Sequence, residues 1–291
     1  MSTYRGRWLE VAVRSPDAGE LEVLLSEGLV ALGGRAVQER DGWYVTHVPE
    51  PADVGEFLAR VRASCGELTG TEVELASMWC AHEDWAETWK RGLEPRHLTD
   101  RLVVTTTWHP VEERPGQVVL VIDPGMAFGT AEHGTTRGCL RLLDAIVGEG
   151  ERILDVGAGS GILGIAAARL GAVDVLALEG DPLAVEALAE NVELNRAADR
   201  VAWRTEWATV ESLASLGPRD GVVANIESGI LRPLLPGFSA AVKAGGWLIL
   251  SGILADEWEE MRTDTERNGF RHSVVDQDGE WRSGLFLRRS S

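Results

Sequence analysis

Apolar and polar residues alternate along the first eighty positions in two different periods. Residues 5–14, RGRWLEVAVR, alternate as a strand, and 17–32, DAGELEVLLSEGLVAL, carry apolar residues at helical spacing. Residues 34–40 and 42–48 read as two strands around the Asp41-Gly42 hairpin signal. Residues 52–65 are helical again, and 71–79 form a last strand. The order strand, helix, strand, strand, helix, strand is the split βαβ, or ferredoxin-like, α+β arrangement. No phosphate loop, metal cluster or nucleophile–base pair falls in it, which suits a docking module.

The stretch HEDWAETWKRGLEP, 82–95, is polar and helical as far as Pro95, with Trp85 and Trp89 on one face. It reads as a linker helix within 81–98, between a domain over 1–80 and a larger one over 99–291. Two strands, 101–110 and 117–123, open the larger domain. Strands over 152–158, 173–180, 201–206, 221–227 and 247–253 then alternate with helices over 160–171, 181–195, 228–242 and 255–269. Such alternation predicts an α/β fold, a parallel sheet with helices on both faces. The end, 270–289, is two strands around Asp278-Gly279, which makes one edge antiparallel.

Composition narrows the function. With 44% hydrophobic residues in 291, the chain is globular, and no apolar run nears the roughly 20 residues a membrane span needs. The N-terminus lacks the apolar block of a signal peptide, and Cys65, Cys80 and Cys139 fit no metal or disulfide framework. A cytoplasmic monomer is expected, with no metal and no membrane. The formal charge of −18 disfavours direct nucleic-acid binding and suits a basic protein partner. Only Lys90 and Lys243 are lysines, so arginine carries nearly all the positive charge.

Two glycine-rich loops stand about twenty residues apart, DPGMAFGTAEHGTTRG over 123–138 and LDVGAGSGILG over 154–164. Gly157, Gly159 and Gly161 follow a strand and open a helix, where backbone passes close to a ligand. Gly159, Gly161 and Gly164 also satisfy the dinucleotide pattern, so the surroundings must decide. Asp155 lies at the carboxyl end of the strand. A carboxylate there repels a diphosphate and attracts a ligand bearing an ammonium and a sulfonium, such as S-adenosylmethionine, directly or through a network it organises. Glu179 ends the next strand and can accept both ribose hydroxyls, while Asp181-Pro182 reads as a helix start. Asn225 ends another strand and would point into the same crevice, unless it caps the helix that follows. The helix after the first loop begins at Thr135 or Thr136, whose hydroxyls can cap it. Phe128 is apolar within a polar loop and could cover an adenine or a methionine chain. His133 suits a structural hydrogen bond.

In combination, DPGMAFGT, LDVGAGSGILGIAA, EGDPLAVEAL with Asn191 and Asn195, VVANI and LILSGIL resemble, in this order, the PrmA family, which methylates the eleventh protein of the large ribosomal subunit. The resemblance implies a seven-stranded class I methyltransferase (Rossmann-like) sheet preceded by a small ferredoxin-like docking domain. It places S-adenosylmethionine on Thr136, Gly157, Glu179 and Asn225, and implies lysine side chains and an N-terminal amine as targets. Asn225 would aim the amine. Ala131-Glu132 replaces the family's glycine-threonine, Gly134 a frequent proline, Glu179 the commoner aspartate, and Glu227 an apolar residue. Glu132 and Glu227 are thus expected near the reaction centre, favouring a cationic substrate or marking a different one. A nicotinamide oxidoreductase and a cofactor-binding regulator without activity remain as alternatives.

Overall fold

The computed structural model describes residues 8–14, 29, 32, 37–40, 42–80, 94–123 and 129–290. Most of the helix expected over 17–32, the linker helix as far as Leu93, and Phe128 with its neighbours over 124–128 lie outside the described residues. The chain forms two compact units, Met1–Gly92 and Leu93–Ser291.

In the first unit, β1 (Trp8–Arg14), β2 (Val37–Arg40), β3 (Trp43–Pro49) and β4 (Glu74–Cys80) make an antiparallel sheet in the order β2-β3-β1-β4. Helix α1 (Val54–Thr69) precedes β4. The expected period-2 pattern holds in β1, where Leu9, Val11 and Val13 are buried and pack with Phe57, Val61 and Cys65 of α1. Asp53 caps α1 by accepting the Glu56 N–H at 2.9 Å, and Gly70 ends the helix in the left-handed region.

The second unit opens with a small sheet of β5 (Arg96–His97), β6 (Leu102–Thr105) and β7 (Val118–Val121), in which β6 and β7 run parallel. Helix α2 (Gly134–Ile146) follows. Then come β8 (Arg152–Val156), α3 (Ile162–Leu170), β9 (Asp174–Glu179), α4 (Pro182–Leu194), β10 (Val201–Thr205), α5 (Val210–Ser215) and β11 (Arg219–Asn225). The chain ends with α6 (Ser228–Ala241), β12 (Val242–Leu254), α7 (Trp258–Arg267), β13 (Phe270–Asp278) and β14 (Trp281–Arg288). The seven-stranded sheet has the order β10-β9-β8-β11-β12-β14-β13. Strands β8 to β12 pair in parallel, and β14 is antiparallel to both its neighbours.

Both faces of the sheet are covered along its central strands, which is why β8, β9, β11 and β12 are apolar over most of their length, whereas the edge strands β10 and β13 are more exposed. Ile153, Val175, Ala177, Val223 and Ile249 pack with α2 and α3, while Leu154, Leu176, Val222, Leu248 and Leu250 pack with α6 and α7. The strand order reverses between β8 and β11, which opens a crevice at their carboxyl ends. Among the described residues no helix is long and apolar enough to cross a membrane.

Candidate functional site

The glycine loop leaves β8 at this reversal. Gly157, Gly159 and Gly161 have φ of 71°, 54° and 81°, a region that disfavours side chains. Gly157 is doubly restricted, because a Cβ there would collide with Cγ2 of Ile226. The loop is tied across the sheet by the N–H groups of Gly157 and Ala158, which donate to the Leu178 carbonyl at 2.9 and 3.0 Å.

Two carboxylates converge on this loop. Asp155 is fully buried; its Oδ2 accepts the Gly164 N–H at 2.8 Å, and its Oδ1 is buried without a hydrogen-bond partner among the described residues. Burial pushes its carboxyl up to about 7, against the Gly164 N–H and with help from the charge of Glu179. Asp155 therefore ties the loop to α3 and keeps one oxygen uncommitted. Glu179 accepts the N–H of Gly159 on Oε2 at 2.8 Å and that of Asp181 on Oε1 at 2.9 Å, so both oxygens are fixed in direction. Asp181 caps α4 through the Leu183 N–H, with Pro182 in the first turn as expected.

Asn225 is half-buried at the end of β11 and donates from Nδ2 to Thr136 Oγ1 at 3.3 Å. The residue at the N-cap of α6 is Glu227, so Asn225 does not cap that helix. The start of α2 differs from expectation. It begins at Gly134 with His133 as N-cap and no side-chain capping bond. Thr135 and Thr136 are inside the helix and buried, so their hydroxyls turn to His133 Nδ1, at 2.8 Å, and to Asn225. His133 also packs on Trp281, with ring centroids 4.7 Å apart, and burial followed by the charge of Arg137 lowers its pKa. Glu132 forms an ion pair with Arg96, and Glu227 is exposed.

The two glycine-rich loops do meet. Ser160 Oγ donates to the Gly129 carbonyl at 2.6 Å, and a Cβ at Gly129 would crowd Ser160. Asn191 completes the junction: its Nδ2 donates to the carbonyls of Asp123 and Ser160, both at 3.0 Å, and its Oδ1 accepts the Asp123 N–H at 2.9 Å. One turn on, Asn195 bonds in the same paired way to the N–H and carbonyl of Val121. The sequence holds a signal for this role, two asparagines four apart on the buried side of an apolar helix, where an amide needs partners. Trp207 lies past β10, and its indole sits where a Cβ of Gly180 would be.

Sheet order, glycine loop and terminal carboxylates together define a class I methyltransferase. A family model for ribosomal protein L11 methyltransferase (PrmA) matches residues 33–288. A ribosomal protein L11 methyltransferase of Streptococcus pneumoniae is 34% identical, over 97% of this chain and 96% of its own length. One from Streptococcus thermophilus is 35% identical, over 83% and 77%. The crystal structure of a ribosomal protein L11 methylase from Lactobacillus delbrueckii subsp. bulgaricus, 30% identical, matches with a TM-score of 0.61 over 67% of this chain and 99% of that one. The chain belongs to the ribosomal protein L11 methyltransferase family, as the resemblance of its motifs implied.

Proposed function

We propose that this chain is an S-adenosylmethionine-dependent protein N-methyltransferase acting on lysine side chains and the N-terminal amine of ribosomal protein L11. The observation that carries the reading is the convergence of Asp155 and Glu179 on one glycine loop, which no arginine or lysine touches among the described residues. That lining fits a donor with positive charge beside its sugar and opposes a diphosphate. S-adenosylmethionine supplies a methyl group already activated on a sulfonium sulfur.

Gly157 and Gly159 leave room for close approach, and Glu179, held by two N–H groups, keeps lone pairs for the ribose hydroxyls. Asp155, fully buried behind the loop, would act on the positive end through its field, and Thr136 and Phe128, the latter outside the described residues, would be the ligand's neighbours. Because Thr136 receives Asn225 Nδ2, the amide oxygen of Asn225 is left to accept an N–H of the incoming amine and aim its lone pair. A lysine in water titrates near 10.4, so roughly one in a few thousand is neutral at pH 7. Burial in the crevice raises that fraction, so Asn225 needs only to orient the nucleophile.

The test is calorimetry with S-adenosylmethionine and with NAD, followed by labelled methyl transfer to unmethylated L11 and mass spectrometry of the product. Binding of NAD in place of the sulfonium donor would refute the reading. Replacing Asn225 with Ala is expected to lower kcat at least tenfold and to lower cofactor affinity by much less; equal losses would refute its role.

A further inference from the structure

The turn after Asn225 carries a carboxylate that the scheme above does not use. Ile226 is clamped from two sides: a Cβ at Gly157 would collide with its Cγ2, and a Cβ at Gly252 would collide with its carbonyl oxygen. Both glycines lie in the left-handed region, at φ of 71° and 84°. The backbone entering Glu227 is therefore fixed by the glycine loop on one side and by β12 on the other. Glu227 stands at the N-cap of α6, yet its side chain makes no capping bond. Glutamate is not among the residues that cap well, so capping does not account for it. Its carboxylate is exposed and, among the described residues, makes neither an ion pair nor a hydrogen bond; only its backbone carbonyl is engaged, by the N–H groups of Ile230 and Leu231.

Several other acids of this edge are engaged, while Asp256 and Glu280, like Glu227, have no side-chain partner among the described residues but lie farther along the chain from Asn225. Glu257 accepts the Ser228 hydroxyl at 2.9 Å and the Leu254 N–H at 3.3 Å, and Glu132 holds Arg96. Asp276 and Asp278 hold Arg141 and Arg137. Glu227 thus presents an uncommitted carboxylate from an anchored backbone, two residues from Asn225.

We propose that Glu227 is a specificity residue that receives the ammonium group of the amine-bearing substrate at the mouth of the site. This rests on the methyltransferase reading above. A carboxylate at an exposed rim raises the local concentration of a cationic side chain and turns its nitrogen inward, while an anionic or neutral nucleophile gains nothing from it. Its contribution belongs to substrate capture and its salt dependence, not to the methyl-transfer step.

The test compares the parent enzyme with Glu227→Gln and Glu227→Asp, using labelled S-adenosylmethionine and a lysine-containing L11 peptide. At low salt, Gln is expected to raise KM for the peptide about threefold to fivefold and to leave kcat and the cofactor Kd unchanged. At about 0.5 M salt the difference falls below twofold, and Asp restores most of the loss at low salt. Equal KM values for parent and Gln variant at low salt would overturn the proposal. A matching fall in cofactor affinity would overturn it too, because the turn would then be acting structurally. A parent enzyme that methylates no amine would remove the methyltransferase reading and this inference with it.

Discussion

Replacing Asp155 with Asn separates the two things this buried carboxyl does. The amide oxygen can still accept the Gly164 N–H, but the side chain can no longer ionise. In the folded chain the Asp155 carboxyl is raised from 3.8 to about 7, because burial penalises the charged form. A carboxyl raised on folding adds stability that is complete below its unfolded value and is lost as pH rises through the folded one. At ~1.4 kcal/mol per pH unit, the parent should lose roughly 4 kcal/mol relative to the Asn variant between pH 4 and pH 7, and little more above. The new amide N–H group has no partner waiting for it, a cost of about 1–3 kcal/mol that does not depend on pH. The slope is therefore the measurement. Urea unfolding of both proteins at pH 5, 6, 7 and 8 should give a difference that moves steadily toward the Asn variant and then levels off. A positively charged donor favours the ionised carboxyl, so cofactor affinity should rise with pH through about 7 in the parent and stay flat in the variant. A stability difference constant from pH 5 to 8 would refute the argument.

Three further outcomes can be checked by the same methods. Asn191→Ala removes three hydrogen bonds joining Asp123 to Ser160 and should cost about 2–4 kcal/mol in urea unfolding, with a weaker cofactor Kd by calorimetry; a variant with normal stability would show the clamp to be idle. The guanidinium groups of Arg137 and Arg141 hold the Asp278 carboxyl well below the usual carboxylate range. Because that pKa is depressed, its contribution is present above the unfolded value near 4 and fades as pH falls. Asp278→Asn should thus cost about 1–3 kcal/mol at pH 7 and progressively less below pH 4, as read from melting curves across pH. Arg196, just past α4, has φ of 52°, so Arg196→Gly should stabilise the chain by about 0.5–1 kcal/mol, and a lower melting temperature would contradict this.

The order of elements and the sheet class were legible because both rest on local signals. Buried strands show as apolar runs, the helices between them as amphipathic periods, and Gly157, Glu179 and Asn225 stand at strand ends where the register puts them side by side. The start of α2 was misread because Thr135 and Thr136 have the chemistry of caps. Their hydroxyls are instead engaged by His133 and by Asn225, which is 89 residues away, and no local pattern contains that partner. The ion pair of Glu132 with Arg96, 36 residues upstream on β5, was not legible either, because no local pattern contains that partner. The joining of the loops by Ser160 and Asn191 was hidden for the same reason. Short helix α5 was also missed; only its capping box, Thr209 with Ser212, marks it.

Helix α2 shows how packing remote from the crevice can set the position of a residue in it. Its Gly134 and Gly138, four apart, lie against the terminal hairpin so closely that a Cβ at the first would press on Asp278 and at the second would collide with Ser283. Arg137 and Arg141, also four apart, reach the same hairpin, each through paired bonds of 2.6 and 2.8 Å to Asp278 and Asp276. These contacts fix both the rotation of the helix and its height along the sheet. Thr136 lies between the two glycines, about 100° around the helix from each neighbouring residue, so it has no freedom once they are seated. Its hydroxyl is thereby delivered to Asn225, and the orientation of that amide depends on it. The terminal hairpin, which contributes no residue to the glycine loop, is in this way part of what orients the Asn225 amide. Loosening it at Asp276 or Asp278 should therefore lower kcat, and lower cofactor affinity only by the share that Thr136 contributes, since Gly157 and Glu179 are held by β8 and β9 independently of α2.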